Sequence, residues 1–276
     1  MKTEVLQSWE SFESAIDEVR QEYGEFRAEA PDGRSLERRN RVLFRGQSDE
    51  TWPLRTTLER KLNRQIDVTT YAGHAAQTVF EIETYTGARW NVPPRPELEQ
   101  EIQDRSNTFD VHLPNYDFLV YLRHHGFASP LLDWTESPYI AAYFAYAEAG
   151  SADRAVYCYI ERPRFIKGGL GGAPTITVRG PFVRTDKRHF AQKAWYTTAT
   201  RWDYSVSRHV FCSHEAVFDR DDPKQDVLVK LILPAGDRVK ALRRLDEFNI
   251  NHFTLFQSED ALIRALDLKV FDLGQN

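Results

Sequence analysis

The run Leu131-Leu132-Asp133-Trp134-Thr135-Glu136-Ser137-Pro138, residues 131–138, divides the chain into two differently patterned parts. Ser137 followed by Pro138 places an N-cap and then a proline at the first helical position, the favoured way to start a helix. Ile140, Ala141, Phe144 and Ala147 carry that helix forward, with small residues that allow close packing. Leu131-Leu132 reads as an apolar strand. Asp133-Trp134-Thr135 then reads as a polar and aromatic turn between strand and helix, a typical place for a ligand-facing loop. The same residues would equally serve a purely structural turn, with Thr135 and Ser137 competing as caps and Asp133 bracing it.

Upstream of this run the periodicity is mostly helical. Trp9, Phe12, Ile16, Val19 and Tyr23 fall three and four residues apart, which predicts an amphipathic first helix with Ser8 as its N-cap. After a charged loop over 31–41, Val42-Leu43-Phe44 reads as a short buried strand. Pro53 opens a helical stretch through Leu54, Leu58 and Leu62. Residues 67–108 read as helix, interrupted near Pro93-Pro94-Arg95-Pro96, and Tyr116 to Arg123 as another helix stopped at Gly126. Downstream, strands take over at 155–160, 175–179, 195–200 and 227–233, where β-branched and aromatic residues concentrate. Gly168-Gly169 and Gly171-Gly172 mark a loop, and helix returns at 237–248 and 258–266. The expectation is an α+β fold, with early helices and a later, mainly antiparallel sheet core. Its organisation is an N-terminal helical segment over 1–40 and one domain over 41–276, with a helical insert at about 67–108.

Composition narrows the class. The 276 residues are 41% hydrophobic and include 17 Phe, 12 Tyr and 6 Trp, far too rich in aromatics for a disordered chain. The longest apolar candidate, Tyr139 to Ala147, is half the length that a membrane span needs, so no membrane role is expected. The two cysteines, Cys158 and Cys212, build neither a disulfide framework nor a metal site. With no apolar signal core at the N-terminus, the expected compartment is the cytoplasm. No His or Cys cluster has metal-ligand spacing, so no metal is expected. The absence of Gly-x-Gly-x-x-Gly after a first strand argues against Rossmann-type NAD binding. The net charge is −5, yet residues 179–208 hold seven Lys or Arg against Asp186 and Asp203. Six aromatics sit among those cations, a composition suited to phosphate contacts and base stacking. A core strand with its tryptophans inward and its arginines in solvent would have the same composition.

Three groupings carry chemistry. In Phe44-Arg45-Gly46-Gln47 an arginine leaves a buried strand beside a glycine that lets a ligand approach the backbone. Its guanidinium would grip phosphate oxygens bidentately, or else form a structural ion pair at the strand end. His124-His125-Gly126 with Asp133-Trp134-Thr135 forms the second grouping, in which a turn histidine is the bland alternative. Arg188-His189-Phe190-Ala191-Gln192-Lys193-Ala194 forms the third, with the Gln192 carboxamide suited to a sugar hydroxyl or to solvent.

Together these groupings resemble the FRG domain family. Phe44-Arg45-Gly46 reproduces the motif that names it. Trp52-Pro53-Leu54, His124 to Gly126, Leu131 to Thr135 and Arg188 to Gln192 follow in the family's order. Thr254-Leu255-Phe256 with Glu259-Asp260 is similar to the family's C-terminal segment, so the resemblance covers about residues 40–265. Gln257 stands where members usually have proline, and Ala194 where they usually have glycine.

A second resemblance, to ADP-ribosyltransferases, rests on the order of four features. These are an aromatic-Arg-Gly strand, a polar strand, a small-residue Ala-x-x-Phe helix and a Glu or Gln strand. Phe44-Arg45-Gly46, Asp133-Trp134-Thr135, Ala141 to Phe144 and Gln192 occur in that order. The resemblance implies an ADP-ribosyltransferase-like fold and NAD as co-substrate. It implies Arg45, Thr135, Gln192 and Glu259 as catalytic residues. Phe44, Arg45, Gly46, Gln47, His124, Asp133 and Trp134 would form the NAD site, with Trp134 or a tyrosine stacking on nicotinamide. Arg188, Lys193, Trp195 and Arg201 would meet the acceptor. No Glu-x-Glu motif follows Thr135: Glu81-Ile82-Glu83 and Glu97-Leu98-Glu99 precede it, which leaves Glu215 or Glu259 as the acid.

The implied function is an NAD-dependent ADP-ribosyltransferase. It would belong with bacterial toxins or antiviral-defence effectors that modify a nucleic acid, RNA above DNA, under an antitoxin or regulator. The alternatives are a nuclease or other RNA-acting enzyme using His124, Arg45 and the basic stretch, or a non-catalytic nucleic-acid or nucleotide-binding module.

Overall fold

A computed structural model describes residues 1–29, 35–107, 110–164, 172–220 and 226–274. In chain order, β1 (Lys2–Val5) leads into α1 (Ser11–Tyr23), the hairpin β2 (Glu25–Glu29) and β3 (Ser35–Arg39), and β4 (Val42–Gln47). Helices α2 (Thr57–Lys61), α3 (Val68–Ala76), α4 (Val79–Thr86), α5 (Arg95–Arg105) and α6 (Tyr116–His124) follow. Then come β5 (Leu132–Thr135), α7 (Pro138–Tyr146), β6 (Arg154–Ile160), β7 (Thr175–Arg179), α8 (Lys187–Ala191), β8 (Ala194–Asp203) and β9 (Arg208–Phe211). A 3-10 turn (Glu215–Arg220), β10 (Val227–Leu233), a second 3-10 turn (Ala235–Asp237), α9 (Arg238–Glu247), α10 (His252–Phe256), α11 (Glu259–Asp267) and a π-helical turn (Leu268–Asp272) complete the order.

The main sheet runs β1-β10-β6-β4-β5-β8-β7, with β9 also paired to β8. Among the described residues only β1 with β10 is parallel; the other pairings of this sheet are antiparallel. The mixed fold with a mainly antiparallel sheet is therefore as expected. β6 is buried at all seven positions, which is why residues 155–160, after the buried Arg154, show no polar alternation.

Side chains alternate across a strand. The registered pairs Phe44 with Thr135 and Thr135 with Ala194 put those three residues on one face of the sheet. Over the β4–β6–β10 half, that face packs Phe44, Val156, Cys158 and Leu231 against α1, α7 and α9. Over the β8 half, Ala194 and Tyr196 pack with Tyr71, Ile102, Phe118 and Leu119 of α3, α5 and α6. The opposite face holds Leu43, Leu132, Trp134, Tyr157, Tyr159 and Trp195 around Leu54. At Gly46 β4 meets α7 so closely that a Cβ would stand 1.9 Å from the Ala141 carbonyl oxygen. The alanines of α7 are what permit that approach.

Several expectations need correction. Helix α1 begins at Ser11 with Glu10 at its N-cap and no side-chain cap. Ser8 instead accepts, through its carbonyl, from the Ser11 hydroxyl. The stretch from Pro53 becomes helical only at Thr57, because the Leu54 N–H donates to Glu215 Oε1 at 3.0 Å while Thr56 and Glu59 form a capping box. The first forty residues hold α1, but also β1 in the main sheet and the β2–β3 hairpin. Asp133-Trp134-Thr135 is strand β5 and not a turn: β8 supplies its partners from Leu132 to Thr135. Ser137 does cap α7, accepting from the Ile140 N–H at 3.3 Å. Of the glycine loop, 168, 169 and 171 lie outside the described residues.

Candidate functional site

β4 and β5 share one registered pair, Phe44 with Thr135. Past it the strands part, and a cleft of about 390 Å³ opens there, lined from both helical groups on that face. That volume lies within the range of small-molecule sites. Arg154, buried at the edge of β6, donates to the carbonyls of Ser48 and Gly150 and so pins the end of β4 that forms one lip.

Arg45 leaves β4 opposite this gap. Its Nη1 donates to the Asp133 carbonyl oxygen at 2.9 Å and lies 3.9 Å from the Asp133 carboxylate. Burial pushes its guanidinium down to about 10, against the pull of Asp133, which leaves it fully charged at neutral pH. Arg123, from the last turn of α6, holds both Asp133 oxygens: Nε donates to Oδ1 at 3.2 Å and Nη2 to Oδ2. Its Nη1 donates to Thr57 Oγ1 at 3.0 Å, which ties α2 to α6. Burial would raise the Asp133 carboxyl, but Arg123 and Arg45 outweigh it and hold the group below the usual carboxylate range. Its side chain keeps 39% exposure, so it opens on the cleft.

Arg188 of α8 donates to the His124 carbonyl, and His124 Nε2 lies 2.8 Å from the Tyr196 hydroxyl. Burial, reinforced by Arg188, lowers His124 to about 4 and keeps it neutral at pH 7. Thr135 accepts from the Ser137 N–H and donates to the Gln192 carbonyl at 2.7 Å, so it fastens the end of α8 to β5. The Gln192 side chain lines the cleft and donates to the Leu255 carbonyl at 3.2 Å. Phe144 and Phe256, edge to face with centroids 6.1 Å apart, supply apolar lining from α7 and α10.

Of the residues singled out from the sequence, Phe44, Arg45, Gly46, Gln47, His124, Asp133, Trp134, Thr135, Arg188 and Gln192 all line this one cleft. Four do not. Glu259 is exposed at the start of α11, because Ser258 caps that helix outside the cleft. Lys193 is exposed in a left-handed turn, and Trp195 packs on the opposite face under the Arg41 guanidinium. Arg201 bonds Gln65 and Asp203 farther along β8. Trp134 lines the cleft, but its ring packs at a tilt against Tyr159, centroids 5.4 Å apart, and its indole N–H donates to Thr197, so it is core and not a nicotinamide platform. Glu215 is engaged by the Leu54 N–H. The basic stretch is likewise no single surface, since Arg179 is turned to the Val111 carbonyl and Arg208 to Asp67.

Sequence reasoning missed Arg60, Arg123 and Tyr196, all of which line the cleft. Arg123 stands directly before His124, and that adjacency was the available signal. Among the described residues the lining thus holds four arginines (45, 60, 123 and 188) and one carboxylate, Asp133, in a chain of net charge −5. Among the described residues, no group of His, Cys, Asp and Glu is placed to hold a metal ion.

Five of the eight histidines (124, 189, 209, 214 and 252) are pushed below the ordinary histidine value, with burial the largest cause in each. The unfolded chain takes up protons below about pH 6.5 that the folded state refuses, so stability falls as pH drops through that value. The melting temperature should therefore decline between about pH 7.5 and about pH 5. An unchanged value across that range would contradict the assignment of buried, neutral imidazoles.

The model of the FRG domain family matches residues 40–154. The match bears out that resemblance over β4, α2 to α7 and the residues between them, and so includes Arg45, Arg60, Arg123, His124 and Asp133. It stops before α8, which brings Arg188 and Gln192. No curated protein and no solved structure matches the chain. No helix among the described residues is long and apolar enough to cross a membrane.

Proposed function

We propose that the FRG domain of this chain, residues 40–154, builds with α8 a binding site for a phosphate-bearing nucleotide, and that NAD is bound there as the donor of an ADP-ribosyl group. One observation carries the reading. Of twelve buried side-chain atoms without a hydrogen-bond partner among the described residues, four belong to residues that line this cleft: Arg45 Nε, Arg188 Nε, Gln47 Oε1 and His124 Nδ1. Each such unpaired group costs about 1–3 kcal/mol, so a ligand that completes these four would be favoured. Two are donors on guanidiniums, suited to phosphate oxygens; two are acceptors, suited to hydroxyl or amide hydrogens. The phenylalanine lining from α7 and α10 suits a planar base.

In this reading Arg45, with Arg60 near it, holds the diphosphate. Transfer breaks the glycosidic bond between the ribose carbon and the nicotinamide nitrogen, and nicotinamide leaves with the electron pair. An acceptor lone pair then forms the new bond and releases its proton. Asp133, held as a carboxylate and open to the cleft, stabilises the positive charge developing on the ribose. It takes the place expected of Glu259. Nucleic acid is the proposed acceptor, RNA above DNA. Lys187 and the 89% exposed Phe190 sit on α8 with Arg188, so cation and aromatic are offered beside the cleft.

Incubation with labelled NAD and a cell lysate tests the reading. The expected result is nicotinamide release with label that nuclease removes and protease does not. Label removed by protease alone overturns the acceptor class, and intact NAD with no transferred label overturns the transferase.

A further inference from the structure

We infer that His124 offers an unprotonated Nδ1 to the ligand, where it accepts a hydrogen bond from a sugar hydroxyl, and that Tyr196 and His189 fix this tautomer. The inference rests on the nucleotide reading of the cleft and adds to it a residue that selects hydroxyl-bearing ligands.

The assignment follows from one fixed end of a hydrogen-bond chain. His189 Nε2 lies 3.0 Å from the Pro181 carbonyl oxygen. A carbonyl only accepts, so Nε2 carries the proton. In the neutral ring Nδ1 is then an acceptor, and the Tyr196 hydroxyl, 3.1 Å away, donates to it. Having given up its single proton, the Tyr196 oxygen accepts from His124 Nε2 at 2.8 Å. His124 therefore carries its proton on Nε2, and its Nδ1 is left as a lone pair. That atom is buried and has no partner in the protein, on a residue that lines the cleft.

The surroundings hold this state in place. Burial keeps both histidines below their ordinary value, and Tyr196 is pushed up, so all three groups are neutral. Arg188 donates to the His124 carbonyl and anchors the residue without touching the ring nitrogen. Tyr196 and His189 stack with their centroids 5.7 Å apart, which limits rotation of either ring.

The chemical consequence is discrimination. A bare nitrogen lone pair is repelled by phosphate oxygens, which bring no hydrogen, and is satisfied by a hydroxyl. The neighbouring guanidiniums attract the phosphate. Together they select a ligand in which a hydroxyl lies close to a phosphate, as in a ribose phosphate or ADP-ribose, over a bare polyphosphate. Tyr196 and His189 act through His124 and are positioning residues.

Long-range proton–nitrogen correlation spectra of the nitrogen-15-labelled full chain read the tautomer directly. The free protein should show His124 protonated at Nε2 and bare at Nδ1. ADP-ribose should shift that Nδ1 signal, whereas inorganic pyrophosphate should bind and leave it in place. Tyr196→Phe frees the ring to take the other tautomer. It should weaken ADP-ribose about tenfold, the scale of one lost hydrogen bond, with pyrophosphate affinity unchanged. A free protein with His124 protonated at Nδ1 overturns the inference. So does binding of both probes with the same Nδ1 shift, or with none. If neither probe binds, the nucleotide reading itself is overturned, and the inference with it.

Discussion

Gly46→Ala should destabilise the protein by about 4 kcal/mol, roughly 10 °C in melting temperature for a domain of this size. A Cβ at this position would sit 1.9 Å from the Ala141 carbonyl oxygen and 2.6 Å from the Ala145 amide nitrogen. Both are backbone atoms of α7, so no rotamer change relieves the overlap. Either β4 or the helix must move, and β4 is held between β6 and β5. Gly236→Ala is the control, because a Cβ there meets nothing within 4 Å. Thermal unfolding of both variants decides the matter. A Gly46→Ala protein that melts with the unmodified chain would show that the contact between β4 and α7 is wrongly placed. This glycine, which also lines the cleft, is required by the packing of β4 on α7.

Arg45→Lys should weaken ADP-ribose binding about 10- to 100-fold while the chain stays folded, which corresponds to the loss of charge-assisted hydrogen bonds. Lysine keeps the charge but offers no planar fork, and it cannot both donate to the Asp133 carbonyl and present a second nitrogen to a phosphate. Circular dichroism and a melting curve report the fold, and calorimetry reports the affinity. Near-normal affinity in the variant would make Arg45 a structural strand-end residue, the alternative that the sequence left open.

Much of the fold was legible because local chemistry and tertiary structure agree. Ser137-Pro138 caps and starts α7, and β6 and β10 are buried runs whose composition leaves little else for them to be. What was not legible depends on partners. β5 holds Asp133 and Thr135 among four residues and reads as a turn in isolation; it becomes a strand because β8 pairs with it along its length. β1 is an exposed edge strand of four residues, with too little burial to leave a pattern. The cleft follows the same logic. Arg45, His124 and Asp133 stand in short, distinctive segments. Arg60 lies on a short helix, where an arginine reads as solvated surface until topology turns it to the cleft. Trp134 reads as a stacking platform only while the strand is unseen: once Leu132 and Trp134 alternate with Asp133 and Thr135, the ring must face the core. Glu259 reads as a site residue because it lies close in sequence to Phe256. A new helix begins between them and carries the carboxylate outward.

The claim that the guanidinium-lined cleft, shared between residues 40–154 and later elements, binds a phosphate-bearing nucleotide is tested most directly by calorimetric titration of the full chain with ADP-ribose, alongside Arg45→Lys. Saturable binding at one site per chain, weakened in the variant, is the predicted result. No binding by the unmodified chain, or the same affinity in both proteins, would contradict it.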